Sequence, residues 1–283
     1  YQETLQQSNE ETKRANQAKS EFLSHMSHDI RTPINGIMGM VEIIKKNLDD
    51  PERIKDCLEK IDKASHHLLS LINDVLDMSK IGSGEVHLEE IPVDLDEEME
   101  KIHAIADVQA KKQEIRFSIE DEVVHRQFLG SPAHLRRILL NLISNALRYN
   151  KKGGKICLAI REVEYDGSHI GLEFKVQDTG IGMSREFVEK SLFKPFTQED
   201  DRVRTEYRGT GLGMSIVYEL VKQMNGTIDV NSKPGEGTTF TVKLAFKTVD
   251  SAWKKKEIQE ENRNITGMNI LAVEDNQLNM EIL

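Results

Sequence analysis

The sequence predicts an antiparallel helical hairpin followed by an α+β sandwich built on one mixed sheet. Three observations predict it. Apolar residues recur at spacings of three and four over two long stretches before Gly84. From Glu85 onward the pattern changes to short apolar strands alternating with helices. Two of those strands close on each other around Lys233-Pro234-Gly235-Glu236-Gly237, a hairpin turn signal.

Residues 1–19 are polar apart from Leu5 and a few small side chains, and read as a helical connector entering the first helix. That helix carries Phe22, Leu23, Met26, Ile30, Ile34, Ile37 and Met38 on one stripe and runs roughly to Asn47. Leu48-Asp49-Asp50-Pro51 is turn chemistry, with Pro51 suited to the first position of the next helix. The second helix carries Ile54, Leu58, Ile61, Leu68, Leu71, Ile72, Val75 and Met78, and stops at Ile81-Gly82-Ser83-Gly84. A lone hairpin cannot bury both stripes, so pairing of two hairpins into a four-helix bundle is expected.

In the second region, Val86 to Val93 and Ile115 to Ile119 read as strands with a helix between them from about Asp96. Ser131-Pro132 opens a helix through Tyr149, with Ser131 as its expected cap. Lys155 to Glu164 and His169 to Gln177 form a strand pair, and a helix follows from about Gly211 to Met224. Gly226 to Asn231 and Thr238 to Phe246 complete the sheet. Residues 250–267 are a charged linker, and Met268 to Asn276 starts a new strand ending in two acids, Glu274 and Asp275.

The totals narrow the function. Charged residues make up 30% of the 283 and aromatic ones only 5%, a soluble, helix-rich profile. A formal net charge of −10 argues against a general nucleic-acid binder, which needs a basic face. Cys57 and Cys157 match no metal or redox spacing, so reduced, cytoplasmic thiols are expected. No segment approaches the roughly 18–20 apolar residues that span a bilayer, so this segment makes no membrane contact. The chain starts at Tyr1 and not at Met, so an anchor in the parent protein could lie upstream.

Chemistry concentrates in four places. His28 lies off most of the first stripe, beside Asp29 and five residues before Pro33, which cannot donate to the Asp29 carbonyl and should bend the helix. An exposed imidazole beside a carboxylate suits a nucleophile approached from several directions. Asp178-Thr179-Gly180-Ile181-Gly182 follows a strand, where glycines let backbone approach a flat ligand and Asp178 offers a buried acceptor for an exocyclic amine. Gly209-Thr210-Gly211-Leu212-Gly213 leads into a helix whose free N–H groups can hold phosphate oxygens. Asn141 and Asn145, four residues apart in an apolar helix, share one face, where amide oxygens suit Mg²⁺. Arg148 and Tyr149, just beyond, can reach phosphate and stack on a ring.

These segments resemble, in order and spacing, the phosphoacceptor box, N box, first glycine box, F box and second glycine box of sensor histidine kinases. The F box is Phe193-Lys194-Pro195-Phe196, and the likeness spans about residues 15–249. Residues 268–283 resemble the opening of a receiver domain, which makes the parent look like a hybrid kinase. The resemblance implies domains at 20–84 (dimerisation and phosphotransfer) and 85–249 (ATP binding). It also implies a homodimer, ATP and Mg²⁺ as cofactors, autophosphorylation of His28, and transfer to a receiver-domain aspartate.

It further implies residue roles. Asp29 acts as base, and Thr32 positions water for dephosphorylation. Asn145 binds Mg²⁺, with Asn141 and Arg148 near the phosphates and Asp178 on the adenine amino group. Gly180 and Gly182 shape the pocket, and Phe193 and Phe196 anchor a lid at roughly 183–208. Gly209, Thr210, Gly211, Leu212 and Gly213 surround the phosphates. Arg148 stands where the family more often has lysine, Asp29 where it has glutamate, and Ser131 where it has aspartate. The related chaperone, gyrase and mismatch-repair ATPases activate water with a glutamate at the position of Asn141, so this chain lacks their base.

Overall fold

The computed structural model describes residues 26–82, 88–199 and 211–249. All its elements belong to one unit that ends at Thr248. The segments before Met26 and after Val249, including the receiver-like stretch, lie outside the described residues.

Helix α1 (residues 26–46) continues through Pro33 and joins α2 (Pro51–Gly82) by a tight connection. The Asp50 N–H donates to the Asn47 carbonyl at 3.1 Å, and the Asp50 carboxylate accepts the Arg53 N–H at 3.0 Å. That bond caps α2, with Pro51 opening its first turn as expected. Met26, Cys57 and Leu71 are buried, whereas Met38, Leu58, Leu69 and Leu76 are more than half exposed. A single hairpin therefore covers only part of its two stripes.

The sandwich contains β1 (Ile91–Asp94), α3 (Leu95–Lys112), β2 (Arg116–Glu122), β3 (Gln127–Gly130) and α4 (Pro132–Arg148). It continues with β4 (Lys155–Tyr165), β5 (His169–Asp178), α5 (Arg185–Lys190), α6 (Gly213–Gln223), β6 (Thr227–Lys233) and β7 (Gly237–Thr248). The strand order is β1-β3-β7-β5-β4-β2, with β6 pairing on the other end of β7. Only β2 and β4 run parallel; every other pair is antiparallel.

Alternation along the strands sets one apolar face: Ile156, Leu158 and Ile160 on β4, Leu172 and Phe174 on β5, Val242 and Leu244 on β7. Helices α3, α4 and α6 bury their stripes in the same core as these side chains. In α4, Leu135, Ile138, Leu139, Leu142, Ile143 and Ala146 recur at three and four and are all buried. Truncating Leu142 to Ala in such a core costs roughly 2–5 kcal/mol. The rotation of α4 is fixed by Arg136, which holds the buried Glu98 of α3 through bonds of 2.7–2.9 Å.

Three expectations are corrected. Of the strand expected over Val86 to Val93, residues 86 and 87 lie outside the described residues and β1 begins at Ile91, because residues 88–90 join no backbone ladder; Glu90 meets the sheet only through its side chain, which accepts from Lys247 of β7 at 2.9 Å. Strand β3 and helix α5 were not anticipated. Ser131 does not cap α4: its hydroxyl pairs with His134 Nδ1 at 2.7 Å, and Pro132 occupies the first turn.

No described helix is long and apolar enough to cross a membrane.

Candidate functional site

A cavity of about 450 Å³ opens between α4, the C-terminal end of β5, α5 and the N-terminus of α6. That size suits a nucleotide-scale ligand. Its wall includes Asn141, Asn145, Arg148, Tyr149, Asp178, Gly182, Gly211 and Gly213, all expected from the sequence.

Asp178 ends β5 and is only 8% exposed. Its Oδ1 accepts the backbone N–H of Gly180 at 2.7 Å and of Thr238 at 3.3 Å. Burial pushes the carboxyl above its ordinary pKa, and the two backbone bonds oppose that push. With Oδ1 tied to the backbone, Oδ2 is left to accept from a ligand's amino group.

Gly182 adopts φ +65°, and a Cβ there would overlap the Lys233 carbonyl oxygen. Only glycine lets the two chain segments meet so closely. Gly180 and Leu212 lie behind the wall: Gly180 shapes the turn under Asp178, and Leu212 is fully buried.

The two asparagines share the pocket face of α4, as their spacing requires. Asn141 Nδ2 is buried with no hydrogen-bond partner among the described residues, which is costly unless a ligand oxygen completes it. Leu212 stands at the N-cap of α6 and offers no side-chain cap, and the first turn contributes Gly213 and Met214 to the pocket wall, where its free N–H groups are available to an anion. Phe196, at φ +62°, donates its N–H to the Gly211 carbonyl at 2.9 Å, and Phe193 packs on Tyr218 at a centroid distance of 5.0 Å. The two phenylalanines thus brace the entry to α6 from behind.

The lid expected over 183–208 holds an element in its described part. Ser184 caps α5 by accepting the Phe187 N–H at 3.2 Å, and the Ser184 N–H donates to Glu199 at 2.6 Å. Gly209 and Thr210 lie outside the described residues.

Sequence reasoning missed Thr238, Met183 and Phe187, which line the pocket. Thr238 contributes a backbone N–H, which no residue type announces. For Phe187 the signal was present, since Ser184 starts a helix that places it three residues on.

On α1, the His28 side chain is 74% exposed, and its Nδ1 lies 3.2 Å from Asp29 Oδ1. The Thr32 hydroxyl donates to the His28 carbonyl at 3.1 Å. None of these three residues lines the cavity; among the described residues of the hairpin, only His67, Ser70 and Asp74 of α2 do.

Comparison with known proteins accords with this arrangement. Residues 18–84 match the His Kinase A (phospho-acceptor) domain. Residues 130–248 match the family of histidine kinase-, DNA gyrase B- and HSP90-like ATPases. The sensor protein GacS of Pseudomonas syringae pv. syringae is 39% identical over 89% of this chain and 27% of its own length. The autoinducer 2 sensor kinase/phosphatase LuxQ of Vibrio harveyi is 32% identical over 96% of this chain and 32% of its own length. Among solved structures, full-length ShkA in complex with AMPPNP superposes with a TM-score of 0.60 at 28% identity, over 82% of this chain and 47% of ShkA. The chain therefore spans about a quarter to a third of the curated relatives it matches. With a phosphoacceptor domain followed by an ATPase-type domain, it belongs to the sensor histidine kinases.

Proposed function

We propose that this chain is the kinase core of a hybrid sensor protein, transferring the γ-phosphoryl group of ATP to His28 and from there to an aspartate of a receiver domain. The observation that carries the proposal is the convergence of Asp178, Asn141, Asn145 and the uncapped N-terminus of α6 on one cavity. ATP as the nucleotide is supported by the AMPPNP bound to ShkA.

In this reading Asp178 accepts the adenine amino group, Gly180 and Gly182 shape the floor, and Tyr149 stacks beside the base. Arg148 and the α6 N–H groups bind phosphate oxygens. Asn145 fits Mg²⁺, since an amide oxygen is a hard donor and the metal keeps most of its waters. Bound there, the ion neutralises charge on the phosphates. Asn141 positions a phosphate oxygen or a metal-bound water with its otherwise unpaired Nδ2.

The acceptor chemistry is simple. Asp29 holds Nδ1 and leaves Nε2 as the nucleophile. Nε2 attacks the γ-phosphorus, the bond to the β-phosphate oxygen breaks, and ADP leaves. Asp29 steadies the imidazolium that forms. Thr32 positions a water that hydrolyses the receiver's aspartyl phosphate to aspartate and inorganic phosphate, a role in keeping with the kinase/phosphatase name of LuxQ.

The hairpin, 20–84, pairs with a second copy through exposed Met38, Leu58, Leu69 and Leu76. Residues 85–249 are the ATP-binding domain, and 268–283 open the receiver. We place the core in the cytoplasm, where ATP is available.

The test is incubation with Mg²⁺ and γ-labelled ATP. His28→Ala abolishes labelling while nucleotide titration shows ATP binding intact. Label that persists on the variant contradicts the assignment.

A further inference from the structure

The root of the β6–β7 hairpin carries two hydroxyls, one in the wall of the nucleotide cavity and one behind it. Ser232 on β6 and Thr238 on β7 stand opposite each other in the ladder, and their oxygens lie 2.8 Å apart. Thr238 lines the cavity and is only 7% exposed, whereas Ser232 is not part of the wall. Two further groups meet Ser232 Oγ. The Met183 N–H donates to it at 2.8 Å, and it donates to the Gly237 carbonyl at 3.1 Å.

These contacts fix the direction of every bond in the group. A serine hydroxyl has one proton and two lone pairs. The Met183 N–H can only donate, so it occupies one lone pair. The Gly237 carbonyl can only accept, so it takes the proton. A single lone pair is left for Thr238, which is therefore the donor in the bond between the two hydroxyls. The Thr238 proton is thus spent behind the wall. Its backbone N–H is spent too, on Asp178 Oδ1.

What remains toward the cavity has one polarity. The Thr238 oxygen can only accept, and so can Oδ2 of the Asp178 carboxylate. A 6-amino purine offers such an edge a donor, directly or through a bridging water. A 6-oxo purine offers a carbonyl, which sets lone pairs against lone pairs and leaves buried acceptors unpaired. A Thr238 hydroxyl free to rotate would donate to that carbonyl and weaken the distinction.

We propose that Ser232 is a positioning residue for base selection: by accepting the Thr238 O–H it keeps the base edge acceptor-only, so that the cavity admits 6-amino and rejects 6-oxo purine nucleotides. The assignment deepens the adenine reading of Asp178 and rests on it.

The experiment is calorimetric titration of the full chain with ATP and with inosine triphosphate, its 6-oxo counterpart, so that no catalytic step enters. The parent is expected to prefer ATP by about a hundredfold or more. In Ser232→Ala that preference should fall about tenfold, with inosine triphosphate gaining affinity in absolute terms. A gain for the wrong base is something that general loosening of the hairpin does not produce. Ser232→Thr keeps the hydroxyl and should stay within about twofold of the parent. Ser232→Cys, close to serine in shape and a poor acceptor, should lose preference in the same direction as Ser232→Ala and serves if the alanine variant does not fold. Parental preference in the Ala and Cys variants overturns the proposal. Equal weakening of both nucleotides overturns it as well, leaving Ser232 a structural residue. A parent that binds the two nucleotides equally contradicts the adenine reading of Asp178 and takes the proposal down with it.

Discussion

Asp178 and Thr238 are sixty residues apart in the chain, yet the Thr238 backbone N–H donates to Asp178 Oδ1 at 3.3 Å inside the protein. Strand β7 starts at this contact and pairs directly with β5, so the acid that is proposed to select adenine is positioned by the neighbouring strand. The bond is local to neither motif. It also fixes which carboxylate oxygen is spent on structure.

Asp178→Asn separates stability from recognition. Burial raises the Asp178 pKa, so the folded state holds this proton more tightly than the unfolded chain does. The charge therefore costs stability increasingly as pH rises through and above the ordinary carboxyl range. Asn keeps an oxygen for Gly180 and Thr238 without the charge. Thermal unfolding at pH 7 should show the variant at least as stable as the parent. ATP affinity should fall about tenfold or more, from loss of a hydrogen bond to a charged acceptor. A variant that binds ATP normally removes Asp178 from base recognition.

Gly182→Ala damages both. The left-handed backbone alone costs roughly 1–2 kcal/mol for a residue with a Cβ, and the new methyl overlaps the Lys233 carbonyl oxygen. Calorimetry should show a melting temperature several degrees lower, with nucleotide binding weakened in parallel. An unchanged melting temperature would mean that the turn relaxes freely.

Asn145→Ala tests the metal role. Labelling at fixed Mg²⁺ should drop about tenfold or more, while circular dichroism and the mass in solution stay the same. Unchanged labelling takes the metal away from Asn145.

His134 makes stability depend on pH. Its half-buried ring faces Asp77 and Glu89, which favour the proton, and Arg137, which opposes it; burial outweighs them and lowers the pKa from 6.5. The unfolded chain then binds more protons than the folded one, so stability falls as pH drops below about 6.5. A melting curve series from pH 8 to pH 6 should fall more steeply for the parent than for His134→Gln. Parallel curves contradict the burial of this ring as a cause.

Much of the fold was legible because its periodicities are strong. The 3.6-residue stripe of α4 and the alternation of β4, β5 and β7 each identify an element and its buried face. Short elements were not legible: β3 is four residues ending in glycine, and α5 is six residues with no buried side chain. Position-specific chemistry also misled. Ser131 has the composition of a cap, but His134 takes its hydroxyl. In the site, glycine and asparagine motifs mark the wall because each is needed for what only that residue type can do. Thr238 holds Asp178 through its backbone, and Ser232 meets Met183 across forty-nine positions, so neither leaves a local pattern.

The central claim is a phosphoryl group on a histidine nitrogen of α1. The most direct measurement is the chemical stability and position of the label after incubation with Mg²⁺ and γ-labelled ATP. The account predicts label that is lost in acid, kept in alkali, and mapped to the peptide containing His28. Label that survives acid, or maps to another peptide, contradicts it.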